Sequence, residues 1–193
     1  MTLAEADFAR AAEALRCPVA AVKAVCEVEA PEGGFDAAGR PRILFEGHKF
    51  SAATGGRYDK AYPTLSYPVW TRQFYARGAD ANARNAGEHQ RLQQAARLDR
   101  NAALASASWG KFQILGENFR ACGFTTLQAF INAMYSSEGR QLEAFVAFVK
   151  HEGLADEMRD LRWADFARRY NGPRYAENSY DVKLAAAYGR HAC

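Results

Sequence analysis

The chain has 193 residues, 49% apolar and 24% charged, which suits one soluble globular domain with a real core and excludes a disordered or fibrous chain. Its 25 Lys and Arg barely outnumber its 22 Asp and Glu, so charge gives no reason to expect a nucleic-acid partner. No apolar run approaches the roughly 18 residues of a membrane span, so no stable membrane insertion is expected.

The amino terminus lacks the basic stretch and apolar run of a secretory signal, which predicts a protein that stays at first in the cytoplasm. Thr2 and Glu5 have the spacing of a capping box, and a first helix is predicted over about 3–15. A second helix is predicted over 18–29. Val22, Val25, Cys26 and Glu29 fall there at i, i+3, i+4 and i+7, so Glu29 shares the apolar stripe. Pro31 and Gly33-Gly34 stop it. A half-exposed glutamate at a frayed helix end fits this pattern. So does a carboxyl at the edge of a core, where desolvation keeps the acid protonated to higher pH than usual. A glycosidase's general acid needs that property.

Residues 35–46 predict a turn with short extended arms, the one β-hairpin of the chain. Alternation through Ile43 and Phe45 puts Glu46 and His48 together on the opposite strand face. Two such ligands do not make a metal site, and none is expected. From 47 to about 86 the chain is rich in Gly, Tyr, Pro and Asn and reads as irregular, with a helix resuming near Gly87. In Ser106–Gly116, Gly110 allows close backbone approach and Gln113 offers donors and an acceptor. A Trp-Gly turn before a core helix would look the same.

Three helical stripes follow. Leu127, Phe130, Ile131 and Met134 stand behind Thr125-Thr126, and Leu142, Phe145, Val146 and Val149 end at Gly153. Trp163, Phe166, Ala167 and Tyr170 stop at Asn171-Gly172-Pro173, and a last helix is predicted over about 179–188. The aromatic stripes belong to the core, and no cofactor is assigned to them. Cys17, Cys26, Cys122 and Cys193 lack zinc-type spacing and read as reduced thiols. Without repeats or a linker, residues 1–193 form one expected domain.

In order along the chain stand Glu29, the block Ser108-Trp109-Gly110-Lys111-Phe112-Gln113-Ile114, and Tyr170-Asn171-Gly172. That order resembles the goose-type lysozyme and lytic transglycosylase superfamily. Glu27-Val28-Glu29-Ala30, the stretch from Gly39 to Phe50, Ser108–Gly110 and Tyr170–Pro173 resemble more closely the N-acetylmuramidase domain of bacteriophage endolysins, over about 22–181. Two departures stand out. Ala30 follows Glu29 where the superfamily usually has Ser, and Tyr-Asn-Gly-Pro replaces Tyr-Asn-x-Gly, which favours the endolysin branch.

The resemblance implies a mainly α, lysozyme-like α+β fold, with many short helices around a core and one small β-hairpin beside the active-site groove. It implies a peptidoglycan hydrolase that cleaves the β-1,4 bond between N-acetylmuramic acid and N-acetylglucosamine and lyses bacteria. Glu29 would be the general acid, with Gln113, Tyr170 and Asn171 lining the sugar groove and Ser108 and His48 from the matching blocks beside them. Glu27, on the polar side of the same helix, and Glu32, in the following loop, rank behind Glu29. For a second catalytic carboxylate Glu46 is the candidate, with Asp36 and Asp59 behind it. The substrate's own acetamido group could serve instead. Attack by the muramic 6-hydroxyl would make the protein a lytic transglycosylase. An inactive glycan-binding module and a lysozyme cutting the other glycosidic bond are the rivals. The expected partner is the peptidoglycan strand. A monomer without a wall-binding module is expected, waiting in the host cytoplasm for a holin and then acting on the wall.

Overall fold

Helix α2 (Val19–Glu29) runs through the middle of the protein with Ala21, Val22, Ala24 and Val25 fully buried. The computed structural model that shows this describes residues 2–29, 32–172 and 175–192, with the backbone alone for 171, 175 and 177. Small residues on α2 let two helices approach it closely. One is α1 (Glu5–Leu15), which buries Ala11, Ala12 and Leu15. The other is α10 (Tyr180–His191), which buries Leu184 and Ala187 along it. Glu27, on the polar face of α2, pairs with Arg190 and, at 2.8 Å, with His191, so the last helix is tied to the second by charge as well. The Arg190 hydrogen bond holds the Glu27 carboxyl below the usual carboxylate range. As predicted, Val22, Val25 and Cys26 face the core.

Chain order then gives β1 (Ile43–Phe45), α3 (Gly47–Thr54), α4 (Ala81–Leu98), α5 (Arg100–Ala105), β2 (Ala107–Trp109) and β3 (Ile114–Leu115). A 3-10 turn at Gly116–Arg120 leads to α6 (Leu127–Ser136), α7 (Glu138–His151), α8 (Ala155–Arg159) and α9 (Trp163–Asn171). A second 3-10 turn, Tyr175–Asn178, precedes α10. The fold is therefore mainly helical with one small antiparallel sheet, in strand order β1-β2-β3. Thr126 caps α6 through the Ala129 N–H, and Gly153 takes a left-handed φ of 63° just past α7, as their sequences predict.

Several expectations change. The first helix starts at Glu5, so Thr2 is too far away to cap it; the Asp7 carboxylate takes the Ala4 N–H instead, at 2.8 Å. The hairpin predicted over 35–46 shrinks to a single bridge, Phe35 with Pro41, because Asp36 closes a tight turn there. Ile43–Phe45 pairs instead with Ala107–Trp109, far along the chain, in the register Ile43 with Trp109. The true hairpin is β2–β3, where a core helix after Trp109-Gly110 was an alternative. The stretch read as irregular contains α3, whose Gly47, Phe50, Ser51 and Thr54 are buried at helical spacing. Gly47 admits no side chain, since a Cβ there would lie 2.3 Å from the Tyr67 ring. The strand also ends at Phe45. Glu46 and His48 therefore sit at the start of α3 and not on a strand face, although their side chains still meet at 3.4 Å.

Helix α4 begins at Ala81, earlier than Gly87, because Asp80 caps it through the Ala83 N–H at 2.8 Å. Its inward face starts with Asn85, Glu88 and His89, which carry no apolar signal. They bind backbone. Asn85 Oδ1 accepts from Ile43 N–H at 2.9 Å, Glu88 Oε2 from Phe45 N–H at 3.0 Å, and His89 Nε2 lies 2.8 Å from the Pro41 carbonyl. Among the described residues no further strand covers β1, and Asn85 and Glu88 take its outward N–H groups while His89 holds the carbonyl just before it.

Asp36 anchors the same region. Burial alone would raise its carboxyl, but the Arg40 N–H, the Asn85 amide and the Arg40 guanidinium outweigh it and hold the group down at about 2, from an ordinary 3.8. A lowered folded-state value stabilises the fold above the unfolded value and is lost as pH falls through the folded one, a contribution of about 2 kcal/mol here. In urea titrations, the stability advantage of the wild type over Asp36→Asn should be present at pH 5 and should narrow toward nothing by about pH 2. An unchanged gap at both pH values would contradict this.

Candidate active site

Glu29 is the last residue of α2 and is half-buried. Two cavities open beside it, of about 370 and 220 Å³. The larger runs along Arg42–Leu44 and Tyr75 to Arg84, and the smaller past Ser108 and Phe112 to Tyr170. Glu29 and Gln113 are the described residues that line both. A carboxyl and an amide thus sit at the junction of the two cavities, which leave room for polar rings on either side of them.

The β2–β3 turn sets the opposite wall. Gly110 N–H donates to Arg42 O at 2.7 Å, which locks the turn to the residue before β1. Gly110 has φ 70° and Gln113 φ 48°, a left-handed conformation uncommon for a residue with a side chain. Gln113 Nε2 donates to Gly110 O at 2.9 Å, and this closes the loop on itself. The amide nitrogen is committed to the turn, and the carbonyl oxygen is the end an incoming hydroxyl or acetamido N–H can use.

Helix α7 supports this wall from below. Gln141 is 1% exposed; its Oε1 accepts from Lys111 N–H at 2.7 Å and its Nε2 donates to Met134 O at 2.9 Å. Glu138, one turn earlier, accepts from Gly34 N–H at 2.5 Å and lies 3.7 Å from the Lys111 ammonium. One helix face therefore fixes both the loop after Glu29 and the turn that carries Gln113. A Cβ on Gly110 would come within 2.7 Å of the Gln141 side chain, so that position admits glycine alone.

Tyr170 lines the smaller cavity, and its hydroxyl donates to Phe112 O at 3.0 Å. Its ring stacks on Phe166 at 5.3 Å and meets Phe145 edge-on. Burial first, and then the nearby Glu29 carboxylate, keep this hydroxyl protonated far above the usual phenol range. Ser108 lines the same cavity from β2. The Asn171 side chain lies outside what the structure describes, as do Pro31 and Pro173.

The remaining predicted residues stand apart. Glu46 lines neither cavity; its Oε2 accepts from the Tyr75 hydroxyl at 2.7 Å. His48, beside it, is also absent from both linings. Asp36 is committed to its turn, and Asp59 accepts from Ser51 and Ser66 hydroxyls. Glu27 belongs to the α10 clamp. Besides Glu29, the carboxylates lining the groove among the described residues are Glu32, in the loop, and Glu88, whose oxygens take Phe45 N–H, Ala76 N–H and Arg91. Glu138, Gln141, Asn85 and Tyr75 went unnoticed in the sequence. The one available signal was a polar residue recurring at a buried helical position, as Gln141 does beside Leu142 and Phe145.

The N-acetylmuramidase family model matches residues 18–192. The chain is similar to a solved structure described as a Burkholderia AP3 phage endolysin, at 42% identity and a TM-score of 0.87, over 98% of this chain and 71% of that one. No curated protein matches the chain.

Replacing Gln141 with leucine strands a buried N–H and a buried carbonyl, a cost of about 2–3 kcal/mol. Urea unfolding of Gln141→Leu should show a loss of that size. Wild-type stability in the variant would remove the helix from its supporting role.

Proposed function

The chain belongs to the N-acetylmuramidase family, a family of peptidoglycan hydrolases, and from that premise we propose that it cleaves the β-1,4 bond between N-acetylmuramic acid and N-acetylglucosamine with Glu29 as the general acid. The observation that carries this is the position of Glu29 with Gln113 at the junction of the two cavities. A glycan strand laid along the groove would bring a bridging oxygen, flanked by a ring on each side, to the half-buried carboxyl.

The bond that breaks joins C1 of the muramic ring to O4 of the glucosamine ring. Glu29 gives its proton to O4, which leaves as a hydroxyl, and positive charge develops at C1. Glu46 lines neither cavity and takes the Tyr75 hydroxyl, Glu88 is saturated with donors, and Glu32, in the loop, faces the Arg42 guanidinium at 3.7 Å. This favours the muramic acetamido oxygen as the group that attacks C1 over a protein nucleophile. The Glu29 carboxylate then takes a proton from water as the water oxygen adds to C1; the bond from C1 to the acetamido oxygen breaks, its electron pair restores the amide, and the acid and a reducing sugar are left. Gln113 would hold an acetamido or hydroxyl group at the junction, and Ser108 and Tyr170 would border the smaller side. Digestion of the wall by this step lyses the bacterium.

Turbidity clearing of bacterial walls should fall by about 10³-fold or more in Glu29→Gln, an isosteric change that removes the proton donor. Glu46→Gln should retain most activity. Undiminished clearing by Glu29→Gln would end the assignment. Mass analysis of the products should show reducing muramic ends; ends lighter by one water would mean that the 6-hydroxyl, not water, attacks.

A further inference from the structure

Of the three tryptophans, Trp109 and Trp163 are buried, whereas Trp70 is 45% exposed beside Val69, itself 73% exposed. Trp70 lies in the segment between α3 and α4 that also carries Tyr75, a residue lining the larger cavity with Glu29. Tyr75 N–H donates to Arg72 O at 3.2 Å, a turn that ties Tyr75 to the neighbourhood of Trp70, and the Tyr75 hydroxyl is itself fixed by Glu46. The Arg72 guanidinium sits over the indole at 5.5 Å and covers one face of it. Nearly half of Trp70 remains open to solvent. An indole braced by a guanidinium and still half-exposed is an apolar plane that offers contact area at low entropic cost.

We propose that Trp70 is a stacking platform for a sugar ring of the glycan strand, outside the part of the larger cavity that Tyr75 lines. A pyranose ring presents a face of C–H groups, which suits the electron-rich face of an indole. Tyr75, in the same segment and itself in the lining with Glu29, connects this outer position to the groove. Glu46, set aside as a groove carboxylate, acts here as the positioning residue that fixes the Tyr75 hydroxyl. The inference rests on the proposed glycan substrate, and it adds an outer binding position to it.

The test uses Glu29→Gln, which binds without cutting. All three tryptophans emit, so the share of any emission change that belongs to Trp70 is read by difference from Glu29→Gln/Trp70→Ala. Titration with a long soluble fragment of alternating N-acetylglucosamine and N-acetylmuramic acid should quench or blue-shift that emission, and the change should vanish in Glu29→Gln/Trp70→Ala. Affinity for the long fragment should fall roughly tenfold, equivalent to about 1.4 kcal/mol. Affinity for the disaccharide should be unchanged, and Trp70→Tyr should lie between the two. Equal affinity of both proteins for the long fragment would overturn the platform, as would an emission change with phosphatidylglycerol vesicles and none with saccharide. Full wall clearing by Glu29→Gln would instead defeat the catalytic assignment, a separate result.

Discussion

A sheet with strands of two and three residues cannot satisfy its own backbone, and the architecture around the groove follows from that constraint. Each strand leaves N–H and C=O groups that a larger sheet would pair. Here helices supply the partners. Helix α4 closes the free edge of β1 with Asn85 and Glu88 and holds the Pro41 carbonyl just before it with His89, while α7 holds the β2–β3 turn with Gln141 and the Gly34 N–H with Glu138. Buried polar groups of this kind stabilise only when every partner is present, so they fix geometry more tightly than apolar contacts of equal area would.

That rigidity reaches the site. Glu29 ends a helix whose inward face is alanine, valine and cysteine, and it cannot shift without disturbing the core. Gln113 is held left-handed by a turn locked to Arg42, to α7 and, through Phe112, to the Tyr170 hydroxyl. The two groups at the junction therefore come from separate, independently braced elements. Preorganisation of this sort would let the proposed acid meet a bridging oxygen without prior rearrangement. The aromatic stack of Phe112, Phe145, Phe166 and Tyr170 forms the floor under the smaller cavity.

Among the described residues Cys17, Cys26 and Cys122 are free thiols. Cys26 and Cys122 are buried, and burial pushes each thiol up to about 12, so both stay protonated and unreactive. Cys17 is pushed up to about 11 for the same reason.

Elements with an apolar period were legible in the chain: α2, α6, α7 and α9 carry their stripes in plain view, and Glu29 could be placed on one of them. Order and residue type of the matching blocks also identified the family. What escaped has a common cause. The first turns of α4 are buried through hydrogen bonds, not hydrophobicity, so periodicity had nothing to detect. The pairing of Ile43 with Trp109 joins segments remote in sequence, which no local pattern encodes. Glu46 could look like a groove carboxylate because its identity was visible and its partner was not. The sequence alone determined which residues could donate a proton or bury a face, since those are properties of single side chains and their spacing. Only the tertiary structure decided which carboxylates were already committed, because a carboxylate's availability depends on the donors that distant parts of the chain bring to it.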